Sequence, residues 1–151
     1  MNKEFKYKWL MEEKEIHIPC PTKNCQETEL EAYRWGHDPK ENDLNFLPNF
    51  LYNEKKSGSP MRFNAEDDLK NCGNCSLSLF DSREAAISFW FSDSKFMEKI
   101  RGRLQYTHIL KGELKKELGV ATKERPHLEL FEYAGVELRN HFEILEPLIK
   151  P

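Results

Sequence analysis

The sequence predicts a single α+β domain, with a small mixed or antiparallel sheet, a few helices and a long irregular loop over about residues 36–75. Several short segments alternate apolar and polar residues as half-buried strands do, and others repeat apolar residues at helical spacing. These segments do not follow the regular strand–helix alternation that marks a parallel sheet. With 151 residues, 12% of them aromatic, the chain is long enough for one buried core.

Strands and helices can be placed along the chain from these patterns. Glu29 to Trp35 alternates as a strand, and so does Ser76 to Phe80, with Leu77 and Leu79 on one face. Asp81 and Glu84 have the spacing of a capping box, so we expect a helix to begin at Asp81. The other expected elements are helices within 4–15, 83–91 and 95–101, strands at 16–18, 104–110, 127–132 and 142–145, and a helical turn at 112–118.

The irregular segment 36–75 is interrupted by glycine and proline, but it contains an island of six apolar residues: Leu44, Phe46, Leu47, Phe50, Leu51 and Tyr52. A long loop with its own apolar cluster tends to form a lid or a pocket wall. Large apolar groups beside charged ones also form recognition surfaces. The island therefore either packs on the chain's own core or exposes an apolar patch to a partner.

Charged residues make up 32% of the chain, yet the net charge is only −3 and the sequence pI is about 6.0. Without a basic region, we expect no nucleic-acid partner. No apolar run approaches the roughly 18 residues of a membrane span, so no membrane partner is expected either. The charged N-terminal residues lack the apolar core of a signal peptide. We therefore expect a cytoplasmic protein whose cysteines stay reduced or bind metal.

The four cysteines form two close pairs, Cys20 with Cys25 and Cys72 with Cys75. Two such pairs on separate loops can supply the four thiolates that a structural zinc ion needs. Cytosolic proteins also carry unligated cysteines as small apolar residues, and a disulfide or redox pair is a further alternative. The sequence leaves these three states open.

Most local signatures of catalysis are absent from the sequence. No closely spaced histidine pair marks a catalytic metal site, and no glycine-rich phosphate loop or nucleophile elbow is present. His108 fits a hydrogen-bonded core position. His127 begins a strand, where an imidazole can face a pocket, although a structural role is the simpler interpretation.

One set of segments resembles the small ADP-ribosyltransferase-like domains. The chain has an arginine on an early strand at Arg34, a Ser-x-Ser strand at Ser76 and Ser78 followed by a helix, and a late acidic strand at residues 127–132. The resemblance implies an NAD-using enzyme. It gives Arg34 the cofactor phosphates, Ser76 or Ser78 the nicotinamide side, and Glu129 or Glu132 the ribose hydroxyl. A guanidinium suits a diphosphate, and a carboxylate suits a developing ribosyl cation.

Three functions from different classes follow from these observations. The first expectation is a non-catalytic domain that binds a protein or a small molecule through the apolar island at 44–52. The alternatives are the ADP-ribosyltransferase-like enzyme, with Arg34, Ser78 and Glu129 as catalytic residues and Arg34 and Ser76 as cofactor-binding residues, and a zinc-stabilised module. The enzyme requires Arg34, Ser78 and a late glutamate to share one cleft.

Overall fold

A seven-stranded antiparallel sheet forms the centre of the molecule, in a computed structural model that describes residues 3–58 and 66–151. The order across the sheet is β1-β5-β6-β3-β2-β4-β7. Together with the helices, this sheet confirms the predicted α+β class. The strands are β1 Cys25–Gln26, β2 Leu30–Gly36, β3 Leu77–Phe80, β4 His108–Leu114, β5 Gly119–Thr122, β6 His127–Glu132 and β7 Phe142–Pro147.

Five α-helices lie in the described parts of the chain: α1 Lys8–Glu13, α2 Asn49–Ser57, α3 Asp68–Gly73, α4 Arg83–Trp90 and α5 Lys95–Leu104. Short 3₁₀ turns occupy Lys116–Leu118 and Leu138–His141. Side chains cap three of the helices, because the oxygens of Asp67, Ser82 and Ser94 accept the amides of Lys70, Ala85 and Met97. None of these helices is long and apolar enough to cross a membrane.

Alternation along β3 and β6 separates the core from a more polar face. Leu77 pairs with Leu130 and Leu79 with Leu128, and all four belong to the largest buried cluster. On the opposite face Ser78 pairs with Glu129, and Phe80 pairs with His127. Because successive side chains of a strand point to opposite faces, one face of these strands fills the core while the other is available for a site.

Two further apolar clusters fix the helices to the sheet. One joins α1 to Phe50, Phe131 and the cysteines, and the other gathers Tyr52, Trp90, Met97, Leu104 and Tyr106. The second cluster holds α2, α4 and α5 around the C-terminal end of β2, where the Trp35 indole donates to the Ala86 carbonyl at 2.8 Å. These contacts place three helices beside the polar face of β3 and β6.

Several local predictions were wrong or had shifted boundaries. Residues 16–18 form no strand, and α1 spans only part of 4–15. Leu104 ends α5 instead of beginning a strand, so β4 starts at His108. The cap of α4 is Ser82 and not Asp81, because the Ser82 hydroxyl is the group that reaches the Ala85 amide. The strand predictions at 29–35, 76–80 and 127–132 are confirmed within one residue.

The segment 36–75 is not one irregular loop, although 59–65 lies outside the described residues. Helix α2 begins directly after Pro48 and ends at Gly58, whose φ of +74° is the left-handed conformation that often terminates helices. Helix α3 follows Asp67. Pro48, Gly58 and Gly73, which suggested continuous irregularity, therefore mark helix boundaries.

Candidate functional site

A cleft of about 540 Å³ lies between helices α3, α4 and α5 and the polar face of β3 and β6. Its floor carries Ser76, Ser78 and Phe80 from the β3 segment, and His127 and Glu129 from β6. Arg34 lines the same cleft from β2. The strand alternation and the pairing of Ser78 with Glu129 bring the polar side chains of β3 and β6 together on one face. Arg34 does not share that face by alternation, because its neighbour Tyr33 is the β2 residue that pairs with Phe80. Its contact with this group is through the backbone, since its Nη1 donates to the Ser78 carbonyl.

Glu129 is the main acidic group of the cleft floor. The Ser76 hydroxyl, which donates to the Gly73 carbonyl at 2.6 Å, also lies 3.4 Å from the Glu129 Oε2 atom. A Cβ at Gly73 would lie 3.1 Å from both carboxylate oxygens, so the carboxylate rests against the bare Gly73 backbone. Burial raises the pKa of Glu129, and the Ser76 hydroxyl partly opposes that rise. A carboxylate held in this way can accept a ligand hydroxyl or stabilise a positive charge.

Arg34 reaches the cleft from a buried position. Only 4% of its surface is exposed, and its Nη1 donates to the Ser78 carbonyl at 3.0 Å. The guanidinium carbon lies 5.7 Å from the centroid of the Phe46 ring. Its Nε atom is buried and has no hydrogen-bond partner among the residues that the structure describes. Buried donors are normally satisfied, so this atom is available to an additional acceptor.

The mouth of the cleft is apolar. Leu69 of α3 and Phe96 of α5 are each 66% exposed, and Phe89 of α4 is 41% exposed. All three line the cleft. Together with Phe80 on the floor, the two phenylalanines provide faces against which a planar ring can pack. An apolar surround with a few polar groups is typical of small-molecule sites.

Helix α5 contributes site residues that the sequence analysis missed. Phe96, Ile100 and Arg103 all line the cleft and follow one another at intervals of four and three residues. This spacing puts them on one face of a helix. That periodicity was visible in the sequence, but only the fold shows which face of α5 meets the cleft.

Tyr106 and His127 complete the polar lining. Burial raises the pKa of Tyr106, while the nearby charges of Arg34 and Arg103 lower it. Burial also lowers the pKa of His127, whose ring lies 5.4 Å from the ring of Phe80, measured between centroids. Desolvation therefore favours the neutral imidazole at this position of the cleft.

Glu132, the alternative late glutamate, lies outside the cleft. It follows Leu128 and Leu130 on the core face of β6, and it is 1% exposed. Its carboxylate pairs with Lys6, with 3.2 Å between the Nζ and Oε2 atoms. Burial raises the pKa of Glu132 to about 7. Of the two predicted glutamates, only Glu129 shares the cleft with Arg34 and the serines.

The predicted zinc site has no counterpart in the described ranges. Cys20 and Cys72, one from each sequence pair, form a disulfide, and Cys25 and Cys75 are free thiols. No group of three or more His, Cys, Asp or Glu side chains in residues 3–58 and 66–151 is arranged to hold a metal ion. The expectation that all four cysteines remain thiols or thiolates is therefore wrong for Cys20 and Cys72. Each sequence pair is close along the chain, but folding brings Cys20 of the first pair beside Cys72 of the second.

The apolar island at 44–52 packs into the molecule. Phe50 and Tyr52 are at most 1% exposed, and Leu44, Phe46, Leu47 and Leu51 are half-buried against the three apolar clusters. Leu47 also lines the cleft. The island thus packs largely on the chain's own core, and through Leu47 it forms part of the cleft wall.

The cleft combines a buried arginine, two serines, a desolvated glutamate and an apolar mouth on strands and helices of one fold. We compared the chain with family models, with curated proteins and with solved structures. None of the three comparisons found a match.

Proposed function

We propose that this protein is an NAD-using enzyme that transfers ADP-ribose, with the cleft as its active site. One observation carries the proposal: Arg34, Ser76, Ser78 and Glu129, which come from three segments of the sequence, line one cleft. Their roles follow from the resemblance to ADP-ribosyltransferase-like domains.

In the proposed reaction, the bond between the ribose C1′ atom and the nicotinamide nitrogen breaks. The bonding electron pair leaves with nicotinamide, and a lone pair on an acceptor oxygen forms the new bond to C1′. The acceptor proton passes to Glu129 or to water. The Glu129 carboxylate stabilises the positive charge that develops on the ribose, where its low-dielectric surroundings strengthen the interaction. When the acceptor is water, the products are ADP-ribose and nicotinamide.

The surroundings of Glu129 suit this role. The Ser76 hydroxyl donates to the Gly73 carbonyl at 2.6 Å and lies 3.4 Å from the Glu129 Oε2 atom, so the carboxylate sits beside a polar group and can accept from a ribose hydroxyl. Ser78 sits opposite Glu129 on the neighbouring strand, where it can meet the nicotinamide side. The exposed rings of Phe89 and Phe96 are placed to pack against a planar base.

The test is nicotinamide release from NAD by the purified protein. We expect Glu129→Gln to lower the rate by about 100-fold or more, because it removes the charge that faces the transition state. Glu132→Gln is the matched control: it makes the same change three residues along the same strand, on the face that points away from the cleft. This control should retain the wild-type rate.

Two outcomes would overturn the proposal. An equal loss of nicotinamide release in Glu129→Gln and Glu132→Gln would mean that the Glu129 carboxylate has no role of its own in the reaction. Binding of NAD without nicotinamide release by the wild-type protein would make the cleft a binding site alone.

A further inference from the structure

Arg103 is a cation that lines the cleft and forms no ion pair with the residues that the structure describes. It lies in the last turn of α5 and lines the cleft. Among the described residues, its side chain forms no hydrogen bond and no ion pair, and neither acidic residue of the cleft, Asp67 or Glu129, is bonded to it. Asp67 is already engaged, because its carboxylate accepts the Lys70 amide at 3.0 Å. Burial lowers the pKa of Arg103, and the nearby phenols of Tyr106 and Tyr52 oppose that change.

Arg34 and Arg103 both act on the same two phenols. Both guanidiniums lower the pKa values of Tyr52 and Tyr106, in each case against the larger effect of burial. Arg34 also has an unused donor, since its buried Nε atom lacks a partner in the part of the chain that the structure describes. The guanidinium groups of Arg34 and Arg103, both near Tyr106, therefore form a local positive site in a chain whose net charge is negative.

The end of helix α5 would normally oppose an anion at this place. The last carbonyls of a helix carry partial negative charge. Here the Lys56 ammonium donates to the carbonyls of Arg103 and Leu104 at 2.9 and 3.0 Å, and the Tyr52 hydroxyl also donates to the Leu104 carbonyl. These donors satisfy the helix end and remove much of its repulsion.

We propose that Arg34, Arg103 and Tyr106 form a diphosphate subsite, in which Arg103 is the residue that determines specificity for a ligand with two linked phosphates. This inference deepens the proposed function and rests on it for the rest of the ligand. One guanidinium holds one phosphate through paired hydrogen bonds, so two of them favour a dinucleotide or ADP-ribose over a nucleoside. The subsite orients the ligand so that its other end extends towards Ser78 and Glu129.

Binding measured without turnover tests the subsite separately from the enzyme reaction. The probes are inorganic pyrophosphate, ADP-ribose and adenosine, each titrated calorimetrically into wild-type protein and into Arg103→Gln. We expect the variant to bind pyrophosphate and ADP-ribose about tenfold more weakly, because it loses charge-assisted hydrogen bonds, and to bind adenosine unchanged. Arg103→Lys should be intermediate, since it keeps the charge but not the planar fork.

Lys99→Gln is the control, because it removes one positive charge from an exposed position of the same helix outside the cleft. It should leave all three affinities unchanged. The proposal is overturned if wild-type protein does not bind pyrophosphate, if Arg103→Gln binds it as tightly as wild type, or if that variant loses adenosine to the same extent. A protein that binds pyrophosphate through Arg103 but releases no nicotinamide would retain the subsite and refute only the enzyme proposal.

Discussion

At the scale of single residues, two glutamates on β6 show how one position decides the role of an ionisable group. Glu129 faces the cleft beside a serine hydroxyl, and Glu132 faces the core beside a lysine ammonium. Strand alternation sends residues three apart to opposite faces. Burial raises the pKa of both groups, but only Glu129 lies where a ligand can reach it. Because Glu129 and Glu132 are three residues apart on one strand, Glu129 is a candidate catalytic group and Glu132 is a structural one.

Glu132 makes the stability of the protein depend on pH. Its folded-state pKa is about 7 against an ordinary 4.5, mainly because of burial, with Lys6 and Arg34 opposing the rise and Glu137 adding to it. The folded state therefore binds the proton more tightly than the unfolded state. This group's contribution is fully present below the unfolded pKa and is lost as the pH rises through the folded one.

We accordingly expect Glu132→Gln to flatten the stability profile. Between about pH 5 and about pH 8, the wild-type protein should lose on the order of 2 kcal/mol of unfolding free energy through this group, and the variant should not. Urea unfolding at the two pH values measures the difference. Equal slopes for both proteins would show that Glu132 is better solvated, or better paired with Lys6, than its burial indicates.

At the scale of elements, the junction of α3 with β3 positions the Glu129 carboxylate. Helix α3 ends at Gly73, and the chain turns so that the Ser76 amide donates to the Gly73 carbonyl at 3.0 Å. The Ser76 hydroxyl donates to the same carbonyl. One carbonyl thus holds both the backbone and the side chain of the residue that contacts Glu129. The absence of a side chain at Gly73 lets the carboxylate approach this turn.

Gly73→Ala should therefore reduce function more than stability. The new Cβ would lie 3.1 Å from both Glu129 oxygens, which must move away from Ser76. We expect nicotinamide release to fall by about tenfold, since small displacements of a positioned group are costly to catalysis. Gly102→Ala in α5 is the matched control, because nothing lies within 4 Å of its added Cβ. It should keep the activity and stabilise the protein by about 0.5–1 kcal/mol. Full activity of Gly73→Ala would contradict this account.

The sequence was most informative where periodicity is local. The alternation of residues 76–80 and 127–132 predicted β3 and β6, and it placed Ser76 and Ser78 on one face and Leu77 and Leu79 on the other. It could not predict that these two strands are neighbours, which brings Ser78 opposite Glu129. The sequence did not predict helix α2, because Pro48 and Gly58, which lie at its two ends, are also typical of irregular segments. Pairing across the sheet and cysteine connectivity depend on contacts distant in sequence, which local patterns do not encode.

At the scale of the whole molecule, the cleft depends on links between distant parts of the chain. The cluster around α1 is joined to α3 by the disulfide between Cys20 and Cys72, which are 52 residues apart. Cys72 directly precedes Gly73, so the cross-link holds the wall of the cleft on which the Glu129 carboxylate rests. Cys75 lies buried in the same cluster, and burial raises its pKa to about 12. It remains a neutral thiol that packs as an apolar group.

The disulfide should contribute substantially to stability. A cross-link that closes a loop of 52 residues restricts the unfolded chain by an amount worth about 4 kcal/mol in the chain-entropy treatment. We expect the double variant Cys20→Ala, Cys72→Ala to lose about 2–4 kcal/mol of unfolding free energy. Cys25→Ala, which removes a half-buried free thiol, should lose much less. Urea unfolding without reductant compares the two variants with the wild type. Thiol titration of the unfolded, unreduced wild-type protein should find two reactive cysteines, and finding four would show that this link between α1 and the cleft does not form.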